Sequence, residues 1–72
     1  MSRAEQMVRE IFEWARYSPL AQRMIARYAR EEHIARSELW AARKTLGIKR
    51  RYMEHLIDGS RVLMWVWPKE EK

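Results

Sequence analysis

Seven lysine and arginine side chains lie between positions 36 and 61, against three carboxylates in the same stretch. Side chains of this type, concentrated in this way, can neutralise the phosphates of a nucleic acid backbone. The net charge of the whole chain is +5, so most of the excess belongs to this segment. The candidates for phosphate contact are Arg36, Arg43, Lys44, Lys49, Arg50, Arg51 and Arg61.

The remaining polar residues do not indicate catalysis. The two histidines, His33 and His55, are too few for a structural zinc site, and the chain contains no cysteine. No nucleophile, base and orienting residue have the spacing of a catalytic group. We therefore expect a binding module that is not an enzyme, with no cofactor, no metal and no small-molecule substrate.

Two amphipathic helices are predicted in the first half of the chain. Ser2 with Glu5 has the form of a capping box, and a stripe at helical spacing that includes Trp14 predicts a first helix at 3–17. Pro19 suits the first position of a second helix, which we expect at 19–32.

A third helix is predicted at 36–46, after a turn that should direct Ile34 into the core. Leu39 and Ala42 form its buried face, and Gly47 is placed to end it in the left-handed conformation. The opposite face then presents a polar and aromatic set to solvent or to a ligand, namely Arg36, Ser37, Trp40, Arg43 and Lys44.

The last part of the chain has the alternating pattern of β-strands. The segment 61–67 would pair with a strand that starts at Ile48, and Asp58-Gly59 is the turn signal of a hairpin at 48–67. Trp65 and Trp67 are expected in the core rather than in a stacking platform. An alternative is a helix over 50–57, and residues 69–72 are expected to form a solvated tail.

Three helices followed by a two-stranded hairpin define an α+β domain of the winged helix-turn-helix type, with 1–72 as a single domain. Such a domain places its third helix in the major groove of double-stranded DNA and its wing along the phosphate backbone. We expect this partner, a cytoplasmic location and no membrane association, since no apolar run approaches about 20 residues.

Two motifs also resemble a known family. Leu39-x-x-Ala42-Arg43-Lys44-x-Leu46-Gly47-Ile48 and the closing Trp65-x-Trp67-Pro68 resemble the winged helix-turn-helix domain at the C-terminal end of phage and mobile-element primases and of RepA-like replicative ATPases. The resemblance implies DNA contact through Arg43 and Lys44, a role in replication or in phage and plasmid biology, and replication proteins as possible partners.

Two other functions fit the same sequence. In the first, the domain binds a protein through Trp40 and nearby apolar surface, and the positive charge serves solubility. In the second, it is a small transcriptional regulator that binds a palindromic site as a dimer.

Overall fold

The computed structural model describes residues 2–55 and 57–68, which form a small α+β fold. Its described elements are α1 (Arg3–Trp14), β1 (Leu20–Ala21), α2 (Gln22–Glu31), α3 (Arg36–Thr45), β2 (Lys49–Glu54) and β3 (Arg61–Val66). The three strands form one antiparallel sheet in the order β1-β3-β2. The predicted fold class is confirmed at the level of α+β, but the sheet has three strands where the sequence predicted two.

Helix α1 begins as predicted and ends early. The Ser2 hydroxyl oxygen accepts a 3.1 Å hydrogen bond from the backbone N–H of Glu5 and so caps the first turn. The helix ends at Trp14 rather than at position 17, because Arg16 and Tyr17 have φ angles of 55° and 62°. The N–H of Tyr17 donates to the carbonyl of Phe12 at 2.7 Å, which closes the helix end.

Strand β1 occupies residues that were assigned to the second helix. Leu20 pairs with Trp65 and Ala21 with Met64, so the helix starts at Gln22 and the prediction of a start at Pro19 is wrong. The cause is tertiary, because the free edge of β3 supplies hydrogen-bond partners that a short extended segment can use. The end of α2 at Glu31 lies within one residue of the prediction.

The turn between α2 and α3 follows the prediction. Ile34 is buried, and His33 supplies the turn with a φ of 59°. The backbone N–H of Ala35 donates to the Glu38 carboxylate at 3.3 Å, at the start of α3. Gly47 has a φ of 73°, so it ends the helix in the left-handed conformation as expected.

The hairpin of β2 and β3 is in register from Lys49 opposite Val66 to Glu54 opposite Arg61. Because 49–54 is a strand, the alternative of a helix over 50–57 is wrong. At the tip, Gly59 has a φ of 72°. Leu56, which that helix would have included, and the predicted tail at 69–72 lie outside the described residues.

Trp65 is the largest fully buried side chain of the described residues, as expected of a core position. Trp67 is half-buried and packs against the core, with the centre of its ring 5.2 Å from that of Phe12. Trp14 was expected to extend the buried stripe of α1, but 85% of its surface is exposed. The buried core consists of Ala4, Val8, Phe12, Ile25, Ala29, Ile34, Leu39, Ala42, Ile48 and Trp65.

The length and composition of the helices also bear on membranes. Within the part of the chain that the structure describes, every helix is too short or too polar to cross a bilayer.

Candidate nucleic-acid interface

A basic cleft of about 520 Å³ lies between α2, the start of α3 and the β2–β3 hairpin. Cationic residues outnumber acidic ones in its lining, since Asp58 is the one acidic residue among the described side chains that line it. The cationic lining residues come from three elements and are Arg23, Arg30, Arg36 and Arg61. Guanidinium groups stay charged at all physiological pH values and bind phosphate oxygens in pairs, so the cleft is suited to a polyanion.

Two cationic side chains of the cleft, Arg23 and Arg30, come from α2. They are seven residues apart, or two helical turns, so they lie on one side of the helix about 10 Å apart along its axis. The orientation of α2 is fixed by its buried residues and by a 2.9 Å hydrogen bond from Nε1 of Trp65 to Oε1 of Gln22. Core packing and this bond to the sheet together therefore determine the side on which both arginines lie.

Neither arginine was among the candidates predicted from the sequence. A signal was present, because a seven-residue spacing on the polar side of an amphipathic helix predicts a shared face. What the sequence could not show is that this face lies opposite Arg61 of the hairpin.

Arg36 connects the cleft with the outward face of α3. Its guanidinium carbon lies 5.4 Å from the centre of the Trp40 ring, which is a cation–π geometry. A shallow depression on this face is lined by Arg36, Ser37, Trp40, Ala41 and Lys44. Arg36, Ser37, Trp40 and Lys44 were all predicted for this face, and the structure brings them together there.

Trp40 is half-buried and not a fully exposed platform. Its ring meets Trp65 edge to face, with 5.6 Å between ring centres. Part of Trp40 therefore covers the core, and the remainder is accessible beside Ser37 and Ala41. Such a ring can contact a ligand through one edge but cannot stack a whole base without repacking.

Arg43 is engaged within the fold, although the sequence analysis counted it among the exposed residues of α3. Its Nη1 donates a 3.0 Å hydrogen bond to the carbonyl of Ile48, and its guanidinium lies 6.0 Å from the centre of a Trp65 ring. Its Nε is buried without a hydrogen-bond partner among the described residues. These contacts connect α3 to the start of the sheet. Of the two neighbouring cations Arg43 and Lys44, Lys44 is therefore the one that is exposed.

The basic run of β2 is divided between the two faces of the sheet. Arg50 is opposite Trp65 and therefore on the side of the helices, whereas Lys49 and Arg51 point to the other side. All three are exposed. Arg50 alone of the three extends the surface that carries the cleft.

Tyr52 is a further residue that the sequence analysis did not select. It shares the helix-facing side of β2 with Arg50 and lies opposite Leu63, which lines the cleft. Its side chain is 67% exposed, so its ring and hydroxyl group are accessible to a ligand. An aromatic residue among cations is a common feature of surfaces that bind nucleic acid.

The acidic residue of the cleft has a structural partner. The backbone N–H of Ser60 donates to the Asp58 carboxylate at 2.9 Å, and this hydrogen bond lowers the pKa of Asp58 below its usual value. Asp58 therefore stays ionised and shapes the hairpin tip. Among residues 2–55 and 57–68, no group of three or more acidic or histidine side chains could hold a metal ion.

Comparison of the chain with protein-family models, with curated proteins and with solved structures finds no match.

Proposed function

We propose that this domain is a winged helix that binds double-stranded DNA through the basic cleft, the outward face of α3 and the helix-facing side of the hairpin. The observation that carries the proposal is the convergence of Arg23, Arg30, Arg36 and Arg61 from three elements on one cleft. Scattered surface arginines would be explained by solubility, but four that line one concave surface indicate an anionic ligand.

The order of elements supports the same proposal. A sheet of order β1-β3-β2 leaves β2 at its edge, and its residues are exposed along the whole strand. The hairpin can therefore extend beside a duplex while α3, which is ten residues long, or about 15 Å, enters the major groove. In this arrangement Ser37 faces base edges, and Lys44, Arg50 and Tyr52 lie along the phosphate backbone.

Phosphate contacts account for most of the expected affinity. The outward face of α3 offers small side chains, Ser37 and Ala41, with Lys44 as its cation, so few base-specific hydrogen bonds are available. We expect non-specific or weakly specific binding with about five phosphate contacts, which gives a slope near −4.5 in a plot of log K against log salt.

The decisive experiment is fluorescence anisotropy of a labelled random duplex, and of one of its single strands, across a salt series. The cleft variant carries Arg23→Gln, Arg30→Gln and Arg36→Gln. The matched control carries Arg9→Gln, Arg16→Gln and Arg27→Gln, so both variants lower the net charge from +5 to +2.

The wild type and the control should bind duplex in preference to single strand. The cleft variant should bind weakly, with a slope reduced to about −1.8 because three contacts are lost. Equal losses in both variants would mean that binding follows net charge alone, and absence of duplex binding at low salt would overturn the proposal.

A role in replication, or in phage and plasmid biology, is a narrower part of the proposal and depends on the resemblance to primase C-terminal domains. It requires that duplexes from a replication origin be bound more tightly than random duplexes of equal length. A palindromic preference would instead favour a transcriptional regulator.

The second candidate is a protein-binding winged helix, which the accessible edge of Trp40 favours. The depression beside Trp40 is lined by its ring and by the small side chain of Ala41, which offer an apolar contact surface next to two cations, Arg36 and Lys44. Under this candidate Ala41→Glu would abolish binding of the protein partner. The cleft variant and its matched control would then have equal affinities for duplex DNA.

A further inference from the structure

A second concave surface, with a lining distinct from that of the basic cleft, lies between α1 and α2. It is a groove of about 620 Å³, and its apolar lining comes from Met7, Ile11, Met24 and Ile34. Trp14 and Tyr28 also line it, with 85% and 47% of their surfaces exposed. Exposed Trp and Tyr side chains beside an apolar groove are of the residue types that most often dominate the binding energy of protein interfaces.

The groove and the basic cleft use different sides of α2. An α-helix turns about 100° per residue, which places Met24 and Tyr28 about 100° to 160° around the helix from Arg23 and Arg30. The buried stripe that contains Ile25 separates the two sides. A molecule in the groove would therefore leave the cleft accessible, whether or not the cleft binds DNA.

The surface along α1 is complementary to itself. It combines a protruding aromatic side chain, Trp14, with the apolar depression beside it, and it carries a cation and an anion, Arg3 and Glu10, about 10 Å apart along the helix. An interface between identical copies related by a two-fold axis requires both members of every contact pair on one surface. This surface meets that requirement.

The spacing along α1 supplies the register. Arg3, Met7, Glu10 and Trp14 follow one another by four, three and four residues, which is the spacing of a helix-to-helix seam. In an antiparallel pair centred between positions 8 and 9, Arg3 faces the partner's Trp14 and lies one turn from the partner's Glu10. The cation can then contact both the ring and the carboxylate.

The position of Arg3 in the structure favours this contact. Its Nη2 donates a 2.7 Å hydrogen bond to the carbonyl of Glu32, which holds the guanidinium at the end of the groove. A guanidinium has five N–H donors, so others remain for a carboxylate of a second molecule. Part of the conformational entropy lost in ordering the Arg3 side chain is thus already lost in the monomer, so dimerisation would lose less.

We propose that the groove is occupied by a second copy of this chain, in a two-fold dimer with α1 antiparallel to α1 of the partner. Trp14 of each copy covers the apolar lining of the other, and Arg3 of each pairs with the partner's Glu10.

The test is sedimentation equilibrium of the full chain over a wide concentration range. A reversible monomer–dimer equilibrium is expected, and Trp14→Ala should weaken it at least about tenfold. Because Trp14 is exposed, circular dichroism of this variant should be unchanged. The matched control is Tyr52→Ala, which removes another exposed aromatic ring from β2, outside the groove lining, and should leave dimerisation unaltered.

Charge exchange tests the pairing itself. Arg3→Glu and Glu10→Arg should each weaken dimerisation about fivefold, because each places like charges together, and the double variant should restore it. A chain that stays monomeric at all concentrations would overturn the proposal and leave the groove to a different protein. A dimer that is insensitive to Trp14→Ala, or a double variant without recovery, would overturn it as well.

Discussion

Nε1 of Trp65 donates a 2.9 Å hydrogen bond to Oε1 of Gln22, which joins the centre of the sheet to the first turn of α2. Trp65 is fully buried, so its indole N–H has lost water and depends on this partner. The same bond orients the helix that carries Arg23 and Arg30. Core packing and the shape of the basic cleft are therefore linked through one side-chain pair.

We predict that Gln22→Ala lowers the free energy of unfolding by about 1–2 kcal/mol, because it leaves the indole N–H without an acceptor. Urea denaturation followed by circular dichroism measures the change. Gln6→Ala removes an exposed glutamine from α1 and should cost less than about 0.5 kcal/mol. Equal effects of the two substitutions would mean that the bond contributes nothing.

The same variant should change the cleft. With the tie to the sheet removed, α2 is less firmly oriented, and duplex affinity should fall although no charge has been removed. We expect a loss of about threefold in the anisotropy assay, at constant salt slope, since the number of phosphate contacts is unchanged. A reduced slope would instead indicate that a phosphate contact had been lost.

The left-handed conformation of Gly47 should make this position sensitive to substitution. A Cβ at this position would meet Pro68 at 3.7 Å, an ordinary contact, so the cost of substitution comes from the backbone φ of 73°. Gly47→Ala should therefore destabilise the fold by about 1–2 kcal/mol, and Gly47→Asn by less, because asparagine tolerates the left-handed region. Thermal unfolding of the two variants measures the difference. If the Gly47→Ala variant were more stable than the Gly47→Asn variant, this explanation would be contradicted.

The parts of the fold that depend on interactions between residues close in sequence could be predicted, whereas those that depend on tertiary contacts could not. The third helix was predicted to within one residue because its periodicity, Gly47 and the turn at Ile34 are local signals. Strand β1 was missed because two residues have no period, and their conformation is decided by pairing with β3. The early end of α1 depends on left-handed angles at Arg16 and Tyr17, which are unusual for such residues.

The residues of the candidate site also divide into those that local sequence signals predict and those that only the tertiary structure reveals. Arg36 and Lys44 were found from helical spacing, whereas Arg23 and Arg30 were missed because their convergence with the hairpin is tertiary. The basic run of β2 looked like one cluster, although the period of two in a strand already implies that Arg50 points away from its neighbours.

Asp58 gives a pH-dependent prediction. The hydrogen bond from Ser60 lowers the pKa of Asp58 from its usual 3.8, so the folded pKa lies below the unfolded one. Ionised Asp58 therefore stabilises the hairpin tip at pH values above the unfolded pKa, and this contribution disappears as the pH falls through the folded pKa. The NMR shift of the Ser60 amide should titrate with a midpoint below 3.8. In Asp58→Asn that titration should vanish, and a midpoint at or above the usual value would refute the assignment.

Arg43 and Lys44 are neighbours on α3 for which we predict opposite consequences. Arg43→Met removes the hydrogen bond to the Ile48 carbonyl and should lower the free energy of unfolding by about 1–2 kcal/mol. Lys44→Met removes an exposed charge, and should alter stability by less than about 0.5 kcal/mol while reducing the salt slope of duplex binding by about 1. Urea denaturation and anisotropy on both variants separate the two roles. If Arg43→Met reduced the salt slope as much as Lys44→Met without loss of stability, Arg43 would contact phosphate after all, and its bond to Ile48 would have to open on binding.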